Sequence, residues 1–129
     1  MTRKTELYIQ MTLASWIARD YPDMLFRSDL GGIRLTKSLA VQAKRLQAGG
    51  RGWPDIFIAE PRGGYLGLFG EIKTDRQDVY TLKGELRQDQ HTLEQSAVLE
   101  RLRARGYKAD FWLGLENGWQ IIKQYLDNK

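Results

Sequence analysis

Cysteine is absent from the 129 residues, so the chain is not stapled by disulfides and carries no sign of an oxidising, secretory compartment. There is no basic-then-apolar leader and no long uncharged apolar run, so neither secretion nor membrane insertion is indicated and a cytoplasmic location is expected. The glycine-rich stretch Gly49-Gly50-Arg51-Gly52 lacks the Gly-Lys-Ser/Thr ending of a nucleotide-binding P-loop, which argues against an NTP cradle. The single histidine, His91, is expected on the surface. The length suits one domain, residues 1–129, with a core that needs no metal or disulfide to hold it.

Charge is present but unevenly placed. The net charge is +4, yet residues 27–51 hold Arg27, Arg34, Lys37, Lys44, Arg45 and Arg51 against Asp29 alone. Six minus one gives +5 there, which leaves −1 for the rest of the chain. Such clustering is the footprint expected of a phosphate backbone, with Arg34, Lys37, Lys44, Arg45 and Arg51 as candidate DNA contacts. A solvated basic helix face accounts for the same charges.

The chemistry lies just beyond that basic segment. Gly52-Trp53-Pro54-Asp55-Ile56-Phe57-Ile58-Ala59 and Leu66-Gly67-Leu68-Phe69-Gly70-Glu71-Ile72-Lys73 are two strand-like runs joined by Pro61-Arg62-Gly63-Gly64, which reads as a hairpin. Side chains alternate along a strand, so Glu71 and Lys73 share one face and Ile72 points to the other. Asp55 joins them only in the right register. A four-residue loop over 61–64 would set Asp55 opposite Gly70, on the wrong face for Glu71, so a site at Asp55, Glu71 and Lys73 requires a one-residue offset through a longer loop or a bulge. Two converging carboxylates suit a hard cation such as Mg²⁺ or Mn²⁺, held also by substrate phosphate oxygens and water.

The remaining periodicities give the order α-β-α-β-β-α-β-α. Residues 3–19 form an amphipathic helix with Leu7, Met11, Ala14 and Ala18 on its stripe and Leu13, Trp16 and Ile17 widening it. Residues 24–27 make a short strand, and a second helix runs through residue 47 to the Gly49-Gly50 stop. Thr74 to Gly84 reads as an exposed loop with Asp75 and Asp78 solvated. A long helix from about Arg87 to Arg105 ends at Gly106, and its spacing of Leu86, Gln90, Leu93 and Ala97 turns the polar Gln90 inward, where it needs a hydrogen-bond partner. A strand over 107–115 and a last helix capped by Asn117 complete an α/β arrangement, a mixed β-sheet flanked by helices.

The Gly-Trp-Pro-Asp, the glycine-rich hairpin and the Glu-Ile-Lys resemble the Pro-Asp…Glu-x-Lys core of the PD-(D/E)XK nuclease superfamily. The Gly-Gly-Arg-Gly lead-in and the later helix-borne Gln are similar to its VRR-NUC branch, in its standalone, phage-type form. The likeness extends from about Glu6 to the last helix. It implies a restriction-endonuclease-like fold and a Mg²⁺- or Mn²⁺-dependent DNA endonuclease, with Asp55, Glu71, the Ile72 carbonyl and Glu6 as metal ligands. Lys73 would orient water or stabilise charge in the transition state, and Gln90 would lie beside the metal. Without the resemblance, Glu6 reads as a carboxylate complementing the dipole of its helix.

The likeness further implies a structure-selective enzyme on branched DNA, similar to Holliday-junction resolvases, with host cytoplasm as its setting if phage-encoded. Two symmetric cuts call for a homodimer. Trp112, Trp119 and Tyr125 could build its interface or pack within the monomer. A flap-cutting nuclease, a non-catalytic DNA-binding module, and a nucleotide-using enzyme or interaction domain in which Asp55, Glu71 and Lys73 form a structural ion pair remain alternatives.

Overall fold

In the computed structural model, residues 5–29, 36–46, 48 and 52–128 are described. They form helix α1 (Glu6–Asp20), strand β1 (Phe26–Ser28), helix α2 (Lys37–Arg45), strands β2 (Ile56–Ile58) and β3 (Leu68–Lys73), helix α3 (Gln90–Arg103), strand β4 (Lys108–Leu113) and helix α4 (Leu115–Asp127). The order is the one the periodicities predict, with an added 3-10 turn at Arg76–Asp78.

The four strands run in the order β1-β2-β3-β4. β1 and β2 pair antiparallel, β2 and β3 antiparallel, and β3 and β4 parallel, so α3 crosses over between the last two. A parallel pair requires such a crossover. One face carries Ile56, Ile58, Leu68, Ile72 and Trp112, buried against Ile9, Leu13 and Ile17 of α1 and Ile122, Tyr125 and Leu126 of α4. The other face carries Phe57, Phe69, Ala109 and Phe111 against Val98, Leu99 and Leu102 of α3. All six residues of β3 are buried, as expected of a strand covered on both sides.

Several boundaries and faces differ from expectation. Leu13 and Ile17, read as the margin of the α1 stripe, are its centre together with Ile9, while Met11 is 61% exposed. Thr5 caps α1 by accepting from the Tyr8 amide. Asn117 is not the cap of the last helix. Gly114 occupies that position at φ +99°, and the Asn117 Oδ1 accepts from the Leu113 amide in the first turn. The segment after β3 is less open than its polarity suggests, because Val79 is fully buried and Asp75 and Asp78 form a capping box around the 3-10 turn. Trp112 and Tyr125 lie in the core, and Trp119 packs edge-on against Trp16 and Tyr21. Trp112 and Tyr125 are thus taken up by the core of one chain, whereas Trp119 is half-buried.

Gly70 is required by that core. A Cβ there would lie 2.0 Å from the Trp112 ring, so β3 keeps a glycine where the neighbouring strand lays an indole across it. Among the described residues, no helix is long and apolar enough to cross a membrane.

Candidate active site

The β2–β3 register brings the acidic residues together. Ile56 pairs with Gly70, Phe57 with Phe69 and Ile58 with Leu68, so the next position sets Asp55 opposite Glu71. The offset arises at the hairpin tip. Arg62 bridges Tyr65 across Gly63 and Gly64, which both take positive φ, as a tight two-residue turn demands. Four positions then separate Ile58 from Arg62, but only three separate Tyr65 from Leu68. The extra residue lies in the 59–61 arm, which starts at Ala59, whose amide continues the β1–β2 pairing by donating to the Leu25 carbonyl at 2.8 Å.

Asp55 is clamped onto β3 on both sides of Glu71. Its amide donates to the Gly70 carbonyl at 2.9 Å, and its Oδ2 accepts from the Ile72 amide at 2.7 Å. Its carbonyl accepts from the Asp29 amide at 2.7 Å, which ties it to the end of β1. The side chain replaces a ladder hydrogen bond, so its position is set by the sheet rather than by a mobile rotamer.

Glu71 is 4% exposed and faces α3, where Gln95, also 4% exposed, donates Nε2 to its Oε1 at 2.6 Å. The other carboxylate oxygen, Oε2, is buried without a hydrogen-bond partner, as is Gln95 Oε1. A buried, unpartnered carboxylate oxygen is expensive to maintain. Burial pushes the Asp55 carboxyl up to about 6, against the lowering effect of the Ile72 amide, with Glu6, Asp29 and Lys73 as further charges around it. Glu71 is pushed well above the usual carboxylate range, first by burial and then by the Asp55 charge, while Lys73 acts in the opposite direction. Both carboxyls therefore hold a proton more tightly than a free carboxylic acid does.

Lys73 is 6% exposed at the end of β3, and its carbonyl accepts from the Gly114 amide at 2.9 Å. Beyond it the chain opens into a polar cleft of about 530 Å³ lined by Ile9, Thr74, Leu113, Asn117 and Gln120 among others. Glu6, exposed in the first turn of α1, acts on both carboxylates through its charge. Among the described residues, no three carboxylate or imidazole groups are grouped closely enough to cage a cation, so Glu6 does not complete a triad with Asp55 and Glu71. Mg²⁺ does not need one, since one or two carboxylates with water and phosphate oxygens are its usual shell. Two converging carboxylates with an orphaned oxygen fit that demand.

Gln90 does not occupy the place the sequence assigns it. It is the first residue of α3, exposed, and its Nε2 donates to Glu94 Oε1 at 2.9 Å. The stripe counted from Leu86 starts before the helix, whose N-cap is Asp89, and its members Leu93 and Ala97 are exposed. The buried stripe is Thr92, Gln95, Leu99 and Leu102, at i, i+3, i+7 and i+10. Counting back from Leu102 and Leu99 finds Gln95. A second glutamine is also outside the prediction. Gln10 of α1, 3% exposed, donates Nε2 to Ser28 Oγ and to the Asp29 carbonyl, both at 2.6 Å, and so anchors α1 to the β1 end that holds Asp55.

The loop before Asp55 is built against α3. Gly52 has φ +94°, and a Cβ on it would lie 2.9 Å from the Gln95 amide nitrogen and Cα. That close approach of Gly52 is to the backbone of α3. Lys37, Lys44 and Arg45 are exposed on α2, which has no buried residue. Arg34 and Arg51 lie outside the described residues. His91 is exposed in the first turn of α3.

A mixed sheet between helices, with two carboxylates and a lysine at one end of a hairpin, defines a nuclease-like α/β domain. No family model matches the sequence, and no curated protein does. A solved structure described as a "VRR_NUC domain protein" is similar over 99% of this chain and 93% of its own, with a TM-score of 0.68 and 26% identity. A second, described as "VRR_NUC domain", covers 91% of this chain and 97% of its own, with a TM-score of 0.46 and 20% identity. The chain is thus similar to a VRR_NUC domain protein over nearly its whole length.

Proposed function

We propose that the protein is a Mg²⁺- or Mn²⁺-dependent endonuclease that hydrolyses phosphodiester bonds in DNA. The observation that carries this reading is the clamping of Asp55 to the residues on either side of Glu71, which holds two carboxylates together in a buried place where their charges repel. A structural ion pair would not need the second acid, and it would leave Glu71 Oε2 and the inward Gln95 without purpose.

Asp55 and Glu71 would hold the cation, with the Ile72 carbonyl as a third oxygen. The bound ion would polarise a phosphoryl oxygen and lower the pKa of an attacking water. Gln95 fixes the Glu71 carboxyl by one oxygen and leaves the other for ligation. Lys73, beside them on β3, stabilises the charge that develops on the phosphoryl oxygens or orients the water. Glu6 adds negative potential that draws a cation inward. Lys37, Lys44 and Arg45, with Arg34 and Arg51 of the same basic segment, would bind the DNA backbone.

Branched DNA is the proposed substrate, cut by a symmetric pair of chains, because one site makes one cut. The test is cleavage of duplex, flap, splayed and four-way DNA in Mg²⁺, in Mn²⁺ and in chelator. Metal-dependent cutting that favours the branched forms is expected. Binding without any cutting would instead identify a non-catalytic DNA-binding module.

A further inference from the structure

An open-sided cavity of about 210 Å³ lies against α3, lined by Ala48, Trp53, Val98, Arg101, Leu102 and Arg105. Its place relative to the acids is fixed by the sheet. Trp53, two residues before Asp55, packs on the α3 side with Phe69 and Val98, and Gln95, Val98 and Leu102 follow one buried face of that helix. At 1.5 Å per residue, Arg101 stands about 9 Å along the helix axis from Gln95, and Arg105 follows just beyond the helix end. The cavity therefore lies on the same side of the sheet as Glu71, along the helix that carries Gln95.

Its chemistry is apolar and aromatic inside and cationic at the rim. The indole of Trp53 is anchored by its edge, with Nε1 donating to the Ala48 carbonyl at 2.6 Å and the ring packed 6.1 Å from that of Phe69. Arg101 and Arg105 are exposed in and just after the last turn of α3, and Arg105 Nη1 donates to the Arg101 carbonyl at 2.8 Å. A cavity of ~150 Å³ is known to admit a benzene ring, so this one has room for a planar heteroaromatic ring. An aromatic platform with flanking arginines is how single-stranded nucleic acid is held, by stacking on bases and contact with phosphates.

We infer that this cavity is a stacking subsite for an unpaired nucleobase of the strand being cut, with Arg101 and Arg105 on its flanking phosphates. The identity of the strand rests on the nuclease reading, and the subsite extends that reading to single-stranded or branched substrate. A base held in a duplex stack cannot enter the cavity. The subsite thus selects DNA in which a base beside the scissile phosphate is free.

The test uses the full chain in chelator, where nothing is cut, with oligonucleotides carrying 5-iodouracil at each position in turn. Irradiation should crosslink a single strand or flap to the peptide containing Trp53, and the matched duplex should not give that crosslink. The affinity of Arg101→Gln/Arg105→Gln for an oligothymidylate should fall about tenfold or more, and Trp53→Leu should fall similarly while Trp53→Phe keeps most of the affinity. Thermal unfolding checks that each variant is folded, and the arginine pair, being exposed, serves if Trp53→Leu is not. Crosslinks confined to other peptides, or unchanged single-strand affinity in the folded arginine variant, would overturn the subsite. A wild-type protein that gives the Trp53 crosslink but cuts nothing in Mn²⁺ would support the subsite and overturn the nuclease reading. One that cuts DNA without that crosslink would do the reverse.

Discussion

β3 and α2 hold charge in opposite ways. β3 buries every residue, including Glu71 and Lys73, and places Glu71 against a second acid. α2 buries none, and its Lys37, Lys44 and Arg45 all stand in water. A buried charge is costly unless paired or ligated, whereas an exposed one costs little. Charges in β3 therefore carry information about a specific ligand, whereas those on α2 speak only of a diffuse one. Substitutions should separate the two regions by the size and kind of their effects.

The largest effect is expected at the acids. Asp55→Asn and Glu71→Gln keep the shape and the Ile72 and Gln95 hydrogen bonds, but cleavage should drop by more than ~100-fold and metal affinity with it, as losing a ligand costs more than losing its support. DNA binding in chelator should be largely intact. Wild-type cutting by either variant would remove β3 from the chemistry.

Lys73→Ala should come next. An ammonium cannot ligate a cation but can act on the transition state, so kcat should drop by roughly 2–4 kcal/mol, about 30- to 1,000-fold, with metal binding retained. Calorimetry showing metal affinity lost in Lys73→Ala would contradict that separation.

The two glutamines sharpen the comparison within α3. Gln95→Ala leaves Glu71 Oε1 unsupported and should weaken metal binding about 10- to 100-fold, whereas Gln90→Ala should change it less than about twofold, since Gln90 bonds only Glu94 on the surface. Equal effects of the two would return the inward role to the helix start.

The most diffuse effect is on α2. Lys44→Ala/Arg45→Ala should weaken DNA of every sequence alike and flatten the slope of log affinity against log salt by up to ~2, about one per phosphate contact. An unchanged slope would place the helix away from DNA.

The hairpin was legible because its requirement was geometric. Asp55 and Glu71 meet only with a one-residue offset, and the ladder has it. The element order was legible from periodicity for the same reason, since each element repeats its apolar residues at its own spacing. Gln95 is hidden from a stripe counted from Leu86, because Leu86 lies outside the helix and the cap at Asp89 resets the count. Gln10 was missed because its partners, Ser28 and the Asp29 carbonyl, are distant in sequence and one is backbone. Asn117 reads as a cap by residue type, yet Gly114 at φ +99° starts the helix three residues earlier. Trp112 could not be assigned to core or surface until Gly70 was seen beneath it.

The central claim is that Asp55 and Glu71 are held together for a cation at the expense of stability, and the melting temperature of Asp55→Asn tests it most directly. The Asp55 carboxyl has its pKa raised from 3.8 to about 6 in the fold. The native state therefore binds more protons than the unfolded one between about pH 4 and 6, and metal-free wild type loses stability as pH rises through that window. For Asp55 alone the loss is roughly 3 kcal/mol. At pH 8 in chelator, Asp55→Asn should melt higher than wild type, the difference should vanish near pH 4, and Mn²⁺ should raise the wild type but not the variant. A variant that melts lower than wild type in chelator at pH 8 would mean that Asp55 belongs to a stabilising ion pair, and the account would be wrong.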